Sequence, residues 1–206
     1  FLDRDGIFNQ APEVFGLTHI TSTQDLKLID GIDLLVRKIN DAEMLAIMIS
    51  NQSCIERGTL TLAGLNEITH SVHTHLAVAG AVLDGVYYCS HLQESNCLCR
   101  KPKPGMLREA AKKYNIDLKN SYMVGDRWFD VEAGKAAGCK TIFLADGERN
   151  KIDLTKCDPD YIVKSFDEIF KIINLTTIFL ARKKYTNKNI KFSFVFFTTP
   201  PTVRMP

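Results

Sequence analysis

A chain of 206 residues, 45% hydrophobic and 24% charged, has the size and balance of one medium globular domain, able to bury roughly 70% of its unfolded surface. That composition suggests neither a disordered polymer nor a membrane-embedded protein. The formal net charge of +2 hides an asymmetry: residues 1–174 hold 20 Lys and Arg against 24 Asp and Glu, while residues 175–206 hold 6 basic residues and no acidic ones. The body therefore has no general attraction for nucleic acid.

In chain order, Phe1-Leu2-Asp3-Arg4-Asp5-Gly6 opens without an initiator Met and as though inside a strand. Some residues are thus expected ahead of it, and no secretory signal is visible. A helix is predicted over Ile32–Asn40, then a strand over Met44–Ile49, whose unbroken apolar run marks burial on both faces. Helix Leu62–Ala79 and strand Val86–Tyr88 follow. Next come helix Met106–Tyr114, with Pro104 at its start where a missing N–H costs nothing, and strand Tyr122–Val124. Helix Phe129–Ala137 is closed by Gly138; strands Thr141–Leu144 and Tyr161–Val163 and helix Phe166–Ile173 complete the pattern. This alternation predicts an α/β fold: a doubly wound parallel sheet covered by helices, with ligands beyond the carboxyl ends of the strands. One domain is expected over residues 1–174. Residues 175–206, with apolar Ile178–Ala181 and Phe192–Phe197 around basic Lys183–Lys191, read as an appended basic and apolar tail.

Four polar segments follow predicted strands. Asp3 and Asp5 can both reach one ion if the chain turns at Gly6, and magnesium takes such hard oxygen ligands. Ser50-Asn51-Gln52-Ser53 offers neutral donors suited to phosphate oxygens. Arg100 and Lys101 supply a forked and a point-like cation. Asp126 and Asp130, at i and i+4, share one face of a first helical turn and could complete a cation site. Each segment alone also describes a solvated loop or a helix start; their convergence on one sheet edge favours a phosphate and metal site.

Of six cysteines, Cys89, Cys97 and Cys99 lie within eleven residues and flank His91. Three thiolates and one imidazole form a closed tetrahedral set for zinc, a structural site with no open position. It would brace a short loop and aim Arg100 and Lys101. Metal thiolates fit a reducing compartment, so a cytoplasmic location is expected. Cys54, Cys139 and Cys157 are left to packing.

The order and spacing of the four segments resemble the motifs of the haloacid dehalogenase superfamily, over essentially residues 1–165. The resemblance implies a magnesium-dependent phosphatase in which Asp3 is the nucleophile and Asp5 the general acid and base. Ser50 and Lys101 would hold the phosphoryl group, with Asn51 beside them. Asp126 would ligate magnesium with Asp3 and Asp5, and Asp130 would act at one remove. The zinc loop followed by Arg100-Lys101-Pro102-Lys103-Pro104-Gly105-Met106 is similar to a branch containing the heptose 1,7-bisphosphate and the histidinol-phosphate phosphatases, which lack a large cap domain. Asn51-Gln52-Ser53 with Arg57-Gly58 looks like the heptose enzymes. That implies removal of the C7 phosphate of a heptose bisphosphate made for lipopolysaccharide precursors, with Arg57 and Arg100 on the second phosphate.

Ile7, Cys54, Arg127 and residues 10–24 depart from the pattern, which bears on specificity more than reaction type. The expected partner is a small sugar phosphate, with no nucleic acid and no membrane, acting on a monomer. Histidinol-phosphate phosphatase is the alternative enzyme; polynucleotide 3′-phosphatase shares the chemistry, but the zinc loop and acidic body oppose it. From another class, an inactive zinc-braced remnant or binding module would also carry the zinc loop.

Overall fold

The computed structural model describes residues 1–10, 20–145 and 151–174; the tail expected over 175–206 lies outside them. Its strands are β1 (Ile47–Asn51), β2 (Gly85–Cys89), β3 (Tyr122–Gly125), β4 (Lys140–Leu144) and β5 (Tyr161–Val163). All named pairings are parallel: Ile47 to Asn51 lie opposite Gly85 to Cys89, Tyr122 to Gly125 opposite Lys140 to Phe143, and Ile142 to Leu144 opposite Tyr161 to Val163. The opening segment joins the halves. Leu2 bridges in parallel to Met48 on one side and to Val124 on the other, through Leu2 N–H to Ile47 O at 2.8 Å and Asp3 N–H to Val124 O at 2.9 Å. The spatial order is therefore β2, β1, residues 1–3, β3, β4, β5. The doubly wound parallel sheet expected from the sequence is present, and its direction of winding reverses at Asp3, where such sheets place ligands.

Alternation along the strands divides the core in two. Leu2, Met48, Val86, Tyr88, Val124, Ile142 and Leu144 pack on one face with Leu35, Val36 and Ile39 of α1 (Ile32–Asp41) and Leu65, Ile68, Val72 and Leu76 of α2 (Leu62–Val78). Ile169 and Ile173 of a final helix over residues 166–174 join them. Phe1, Ile47, Ile49, Tyr87, Cys89 and Met123 face the other way, onto Met106, Leu107 and Ala110 of α3 (Gly105–Tyr114) and Ala133 of α4 (Trp128–Ala137). Strands buried on both faces explain the unbroken apolar run of β1. Among the described residues all named strand pairings belong to one sheet.

Three boundaries differ usefully from those read along the sequence. β1 begins at Ile47 and runs through Ser50 and Asn51, because pairing with β2, not hydropathy, decides its bounds; Leu45 is left 42% exposed. α3 starts at Gly105, one residue before the expected Met106, with Pro104 as its N-cap. A four-residue helix, α5 (Lys151–Leu154), and two short 3-10 turns, Thr23–Asp25 and Leu118–Asn120, have no apolar periodicity to announce them. Gly138 caps α4 as expected, at φ 92°.

Asp160 ties the start of β4 to the approach to β5, accepting from Thr141 N–H at 2.7 Å and Thr141 Oγ1 at 2.8 Å. Desolvation pushes its carboxyl up, but the two Thr141 donations outweigh it and hold the pKa below the ordinary 3.8. A lowered folded pKa contributes stability above the unfolded value, lost as pH falls through the folded one. Asp160→Ala is therefore expected to lower Tm at pH 7, and the gap from wild type to close once the pH falls below 3.8; thermal melts across that range measure it.

Candidate active site

The strand ends at the reversal point are polar, yet they are not solvated. Asp3 is 4% exposed, Lys101 2%, Asp126 1% and Asp130 0%. Asp3 follows Leu2 on the central strand, Asp126 follows β3, and Asp130 sits in the first turn of α4. Lys101 enters from the loop after β2. Its Nζ reaches Asp3 Oδ1 at 2.6 Å, Asp130 Oδ1 at 2.5 Å and the Ile49 carbonyl at 2.9 Å. Burial alone would favour loss of its proton, but Asp130 and Asp3 outweigh that, and the Lys101 pKa lies above the ordinary value.

Asp3, Asp126 and Asp130 each bring one carboxylate oxygen within 4.8 Å of the others. Three buried acids around one ammonium are an excess of negative charge. Burial, then the charge of Asp3, push the Asp130 carboxyl well above the ordinary range despite Lys101. Hard oxygen donors crowded in this way match a divalent cation such as magnesium. Asp130 has a second duty, since its Oδ2 accepts from Arg127 N–H at 3.1 Å and caps α4. Two glycines make the approach possible. A Cβ on Gly6, at φ 102°, would stand 2.3 Å from the Asp126 carboxyl, and one on Gly125 would stand 2.3 Å from Asp130 Cβ.

Asp5 is not one of that group. Its Oδ1 accepts from Arg4 Nε at 3.1 Å, Arg4 Nη2 at 3.0 Å and Asn9 Nδ2 at 2.9 Å. Oδ2 accepts from Arg4 Nη2 at 3.1 Å and Gln52 Nε2 at 2.9 Å. The four-carboxylate metal set read from the sequence thus becomes a three-carboxylate group without the Asp5 side chain, whose oxygens are engaged by these donors. Ser50 is 1% exposed and its Oγ accepts from Gln52 Nε2 at 2.9 Å. Asn51 directs its amide at the backbone of Lys101, donating to the carbonyl at 3.0 Å and accepting from the N–H at 3.0 Å. It therefore positions Lys101 instead of turning that amide toward a phosphate.

The Cys89, His91, Cys97 and Cys99 ligand atoms also lie within 4.8 Å of one another. Sγ–Sγ distances are 3.6 Å for Cys89–Cys97 and 3.3 Å for Cys89–Cys99 and Cys97–Cys99; His91 Nδ1 is 3.6 Å from Cys89 and 3.3 Å from Cys99. A tetrahedral zinc with Zn–S near ~2.3 Å has S–S edges of about 3.8 Å, so four soft ligands are gathered at nearly the required spacing. The loop is tied down from outside. Glu56 accepts from Leu92 N–H and from Ser95 Oγ, Arg100 Nη1 donates to His91 O at 3.1 Å, and Lys103 Nζ donates to Asn96 O at 2.9 Å. Arg57 is exposed on the turn beyond Ser53, with its backbone N–H on Ser53 O at 3.0 Å.

Sequence reasoning missed Arg4, Asn9 and Glu56 as working residues, and placed Gln52 only within a donor segment for phosphate. Arg4 is 0% exposed; its only signal along the chain is its place between the two acids. Arg127, a departure from the family pattern, pairs with Asp153 of α5 and lies 5.5 Å from the Phe129 ring.

The family model described as HAD-hyrolase-like matches residues 98–169. The chain is 34% identical over 150 residues to the D-glycero-beta-D-manno-heptose-1,7-bisphosphate 7-phosphatase of Bordetella bronchiseptica, covering 73% of this chain and 82% of that one. It is 34% identical to the enzyme of the same name from Pasteurella multocida, covering 84% and 95%. A crystal structure of D,D-heptose 1.7-bisphosphate phosphatase from B. bronchiseptica, complexed with magnesium and phosphate, superposes with a TM-score of 0.74 at 29% identity, covering 88% of this chain and 97% of that one.

Gly6→Ala is expected to destabilise the protein by on the order of 1–3 kcal/mol, the cost of a strained backbone conformation at a non-glycine residue, and to displace Asp126. Urea unfolding measures the first effect. Weakened retention of a divalent cation, followed by calorimetric titration, measures the second.

Proposed function

The chain belongs to the haloacid dehalogenase-like hydrolase family, in the heptose-bisphosphate phosphatase branch, and from that premise we propose that it is a magnesium-dependent phosphomonoester hydrolase. Its substrate is D-glycero-D-manno-heptose 1,7-bisphosphate, from which it removes the C7 phosphate. The observation that carries this reading is the buried bridge of Lys101 between Asp3 and Asp130 at the sheet's reversal point. It sits beside a four-ligand cysteine and histidine loop, in a chain alike over most of its length to enzymes of that name.

In this mechanism an oxygen of Asp3 bonds to phosphorus as the bond from phosphorus to the C7 oxygen breaks. Asp5 gives its proton to the departing sugar oxygen. Asp5 then takes a proton from a water whose oxygen attacks phosphorus; the Asp3–phosphorus bond breaks and inorganic phosphate leaves. Lys101 lies on the nucleophile itself and offsets the charge of the phosphoryl oxygens, while the Ser50 hydroxyl donates to one of them. Asp3, Asp126 and Asp130 would hold magnesium, which when bound lessens repulsion between the carboxylate and the phosphate dianion.

Cys89, His91, Cys97 and Cys99 would hold one structural zinc that fixes the loop carrying Arg100 and Lys101. Arg57 and Arg100 receive the phosphate that is not cleaved. Residues 1–174 form the catalytic unit and act as a monomer. A zinc held by thiolates would suit a reducing, cytoplasmic compartment. No helix among the described residues is long and apolar enough to cross a membrane.

Asp3→Asn is expected to reduce phosphate release at least about a thousandfold with an unchanged melting curve; release within tenfold of wild type would overturn the covalent route. Metal analysis should find about one zinc per chain. Cys99→Ser should lose that zinc and lower Tm by about 5 °C or more, the shift that ~2 kcal/mol brings to a domain of this size. The heptose bisphosphate should exceed a heptose 7-phosphate by about tenfold in kcat/KM, one charge-assisted contact's worth. Arg57→Ala should erase much of that preference. Faster turnover of histidinol phosphate than of the heptose bisphosphate would transfer the assignment to the alternative enzyme.

A further inference from the structure

Arg4 is the largest side chain among the described residues to be fully buried, and nothing in the chemistry above uses it. Burying a guanidinium is costly unless its donors are matched. Here the fork closes on Asp5, with Nε at 3.1 Å from Oδ1 and Nη2 at 3.0 and 3.1 Å from the two oxygens. The same Nη2 donates to Gln52 Oε1 at 3.0 Å, and the Tyr88 ring lies 5.9 Å from the guanidinium carbon.

The consequence runs through the Gln52 amide. Arg4 carries donors only, so the end of the amide facing it must be the oxygen. The Nε2 end is thereby directed to Asp5 Oδ2 and Ser50 Oγ, both at 2.9 Å. Because Ser50 Oγ accepts there, its own proton points elsewhere and remains available to a phosphoryl oxygen. Were Arg4 apolar, the amide oxygen would lose this donor and the Asp5 carboxylate its fork, so neither would be fixed in place by the other side of the pair. We propose that Arg4 and Gln52 are a buried positioning pair that holds the Asp5 carboxylate and the Ser50 hydroxyl in one frame, registering proton transfer to phosphoryl binding. The proposal rests on the assignment of Asp5 as acid and base. Arg4 acts through Asp5 and touches no substrate. Lysine cannot replace it fully, because a point-like ammonium lacks the fork.

The test is pre-steady-state turnover of p-nitrophenyl phosphate by the intact, metal-loaded protein. With this ester Asp3 displaces nitrophenolate, which leaves with its electron pair and needs no proton. Release of Asp3 still requires Asp5 to deprotonate water. Arg4→Met should give a rapid burst of about one nitrophenolate per site, followed by turnover roughly hundredfold slower than wild type, with kcat/KM little changed. On an alkyl phosphate, whose leaving oxygen must be protonated, the burst should vanish. Arg4→Lys should recover part of the steady rate. Gln52→Met should show the burst and also a lowered kcat/KM, since Ser50 loses its partner.

Burst and steady rates that fall together, or a lysine variant no better than methionine, would reduce Arg4 to a structural role and overturn the proposal. Where circular dichroism shows Arg4→Met unfolded, Arg4→Lys and Gln52→Met decide by the same criteria. Asp5→Asn is run alongside. If it turns over like wild type, the assignment of Asp5 fails independently of the positioning pair.

Discussion

A lysine ammonium with no access to solvent, held between two carboxylates and a strand carbonyl, is the constraint on which the rest of this structure depends. Removing one partner from such a group leaves an uncompensated buried charge, a loss of about 3–5 kcal/mol. The reversal of winding direction at Asp3 makes the arrangement possible, because it brings the central strand, the end of β3, the start of α4 and the loop after β2 to one point. Around Lys101 there remains more negative than positive charge, which the fold tolerates as the seat of a cation.

The loop after β2 has no regular structure of its own to hold Lys101 at that point, and several contacts take over the task. Asn51 clasps the Lys101 backbone from β1. The cysteine and histidine ligands gather the loop from within, while Glu56, Arg100 and Lys103 tie it from outside. Gly105 lets the loop close on the start of α3, since a Cβ there would stand 2.3 Å from the Leu98 carbonyl. A metal cross-link suits this place because a short irregular loop cannot bury enough apolar surface to order itself.

The second acid is governed separately. Asp5 is two residues from Asp3, yet its carboxylate answers to Arg4, Asn9 and Gln52. Neighbouring carboxylates thus acquire different surroundings, one against a lysine and two acids, the other inside a fork and an amide. Separate surroundings are what a nucleophile and a proton carrier require of two identical side chains.

The sequence by itself determined the parallel α/β architecture, because apolar runs buried on both faces and helical periodicity are local properties that survive without knowledge of partners. That Asp3, Lys101, Asp126 and Asp130 would meet, and that Cys89, His91, Cys97 and Cys99 would gather, was legible too, since residue type and short spacing encode it. The limits of β1 were not, because they depend on register with β2. Nor were the duties of Asn51, Asp5, Arg4 and Gln52. An amide reads the same whether it meets a phosphate or a backbone, and a carboxylate whether it meets a metal or a guanidinium. Only tertiary structure, which brings Gln52 to Arg4 across 48 positions of chain and Lys101 to Asp3 across 98, decides which partner each polar group meets.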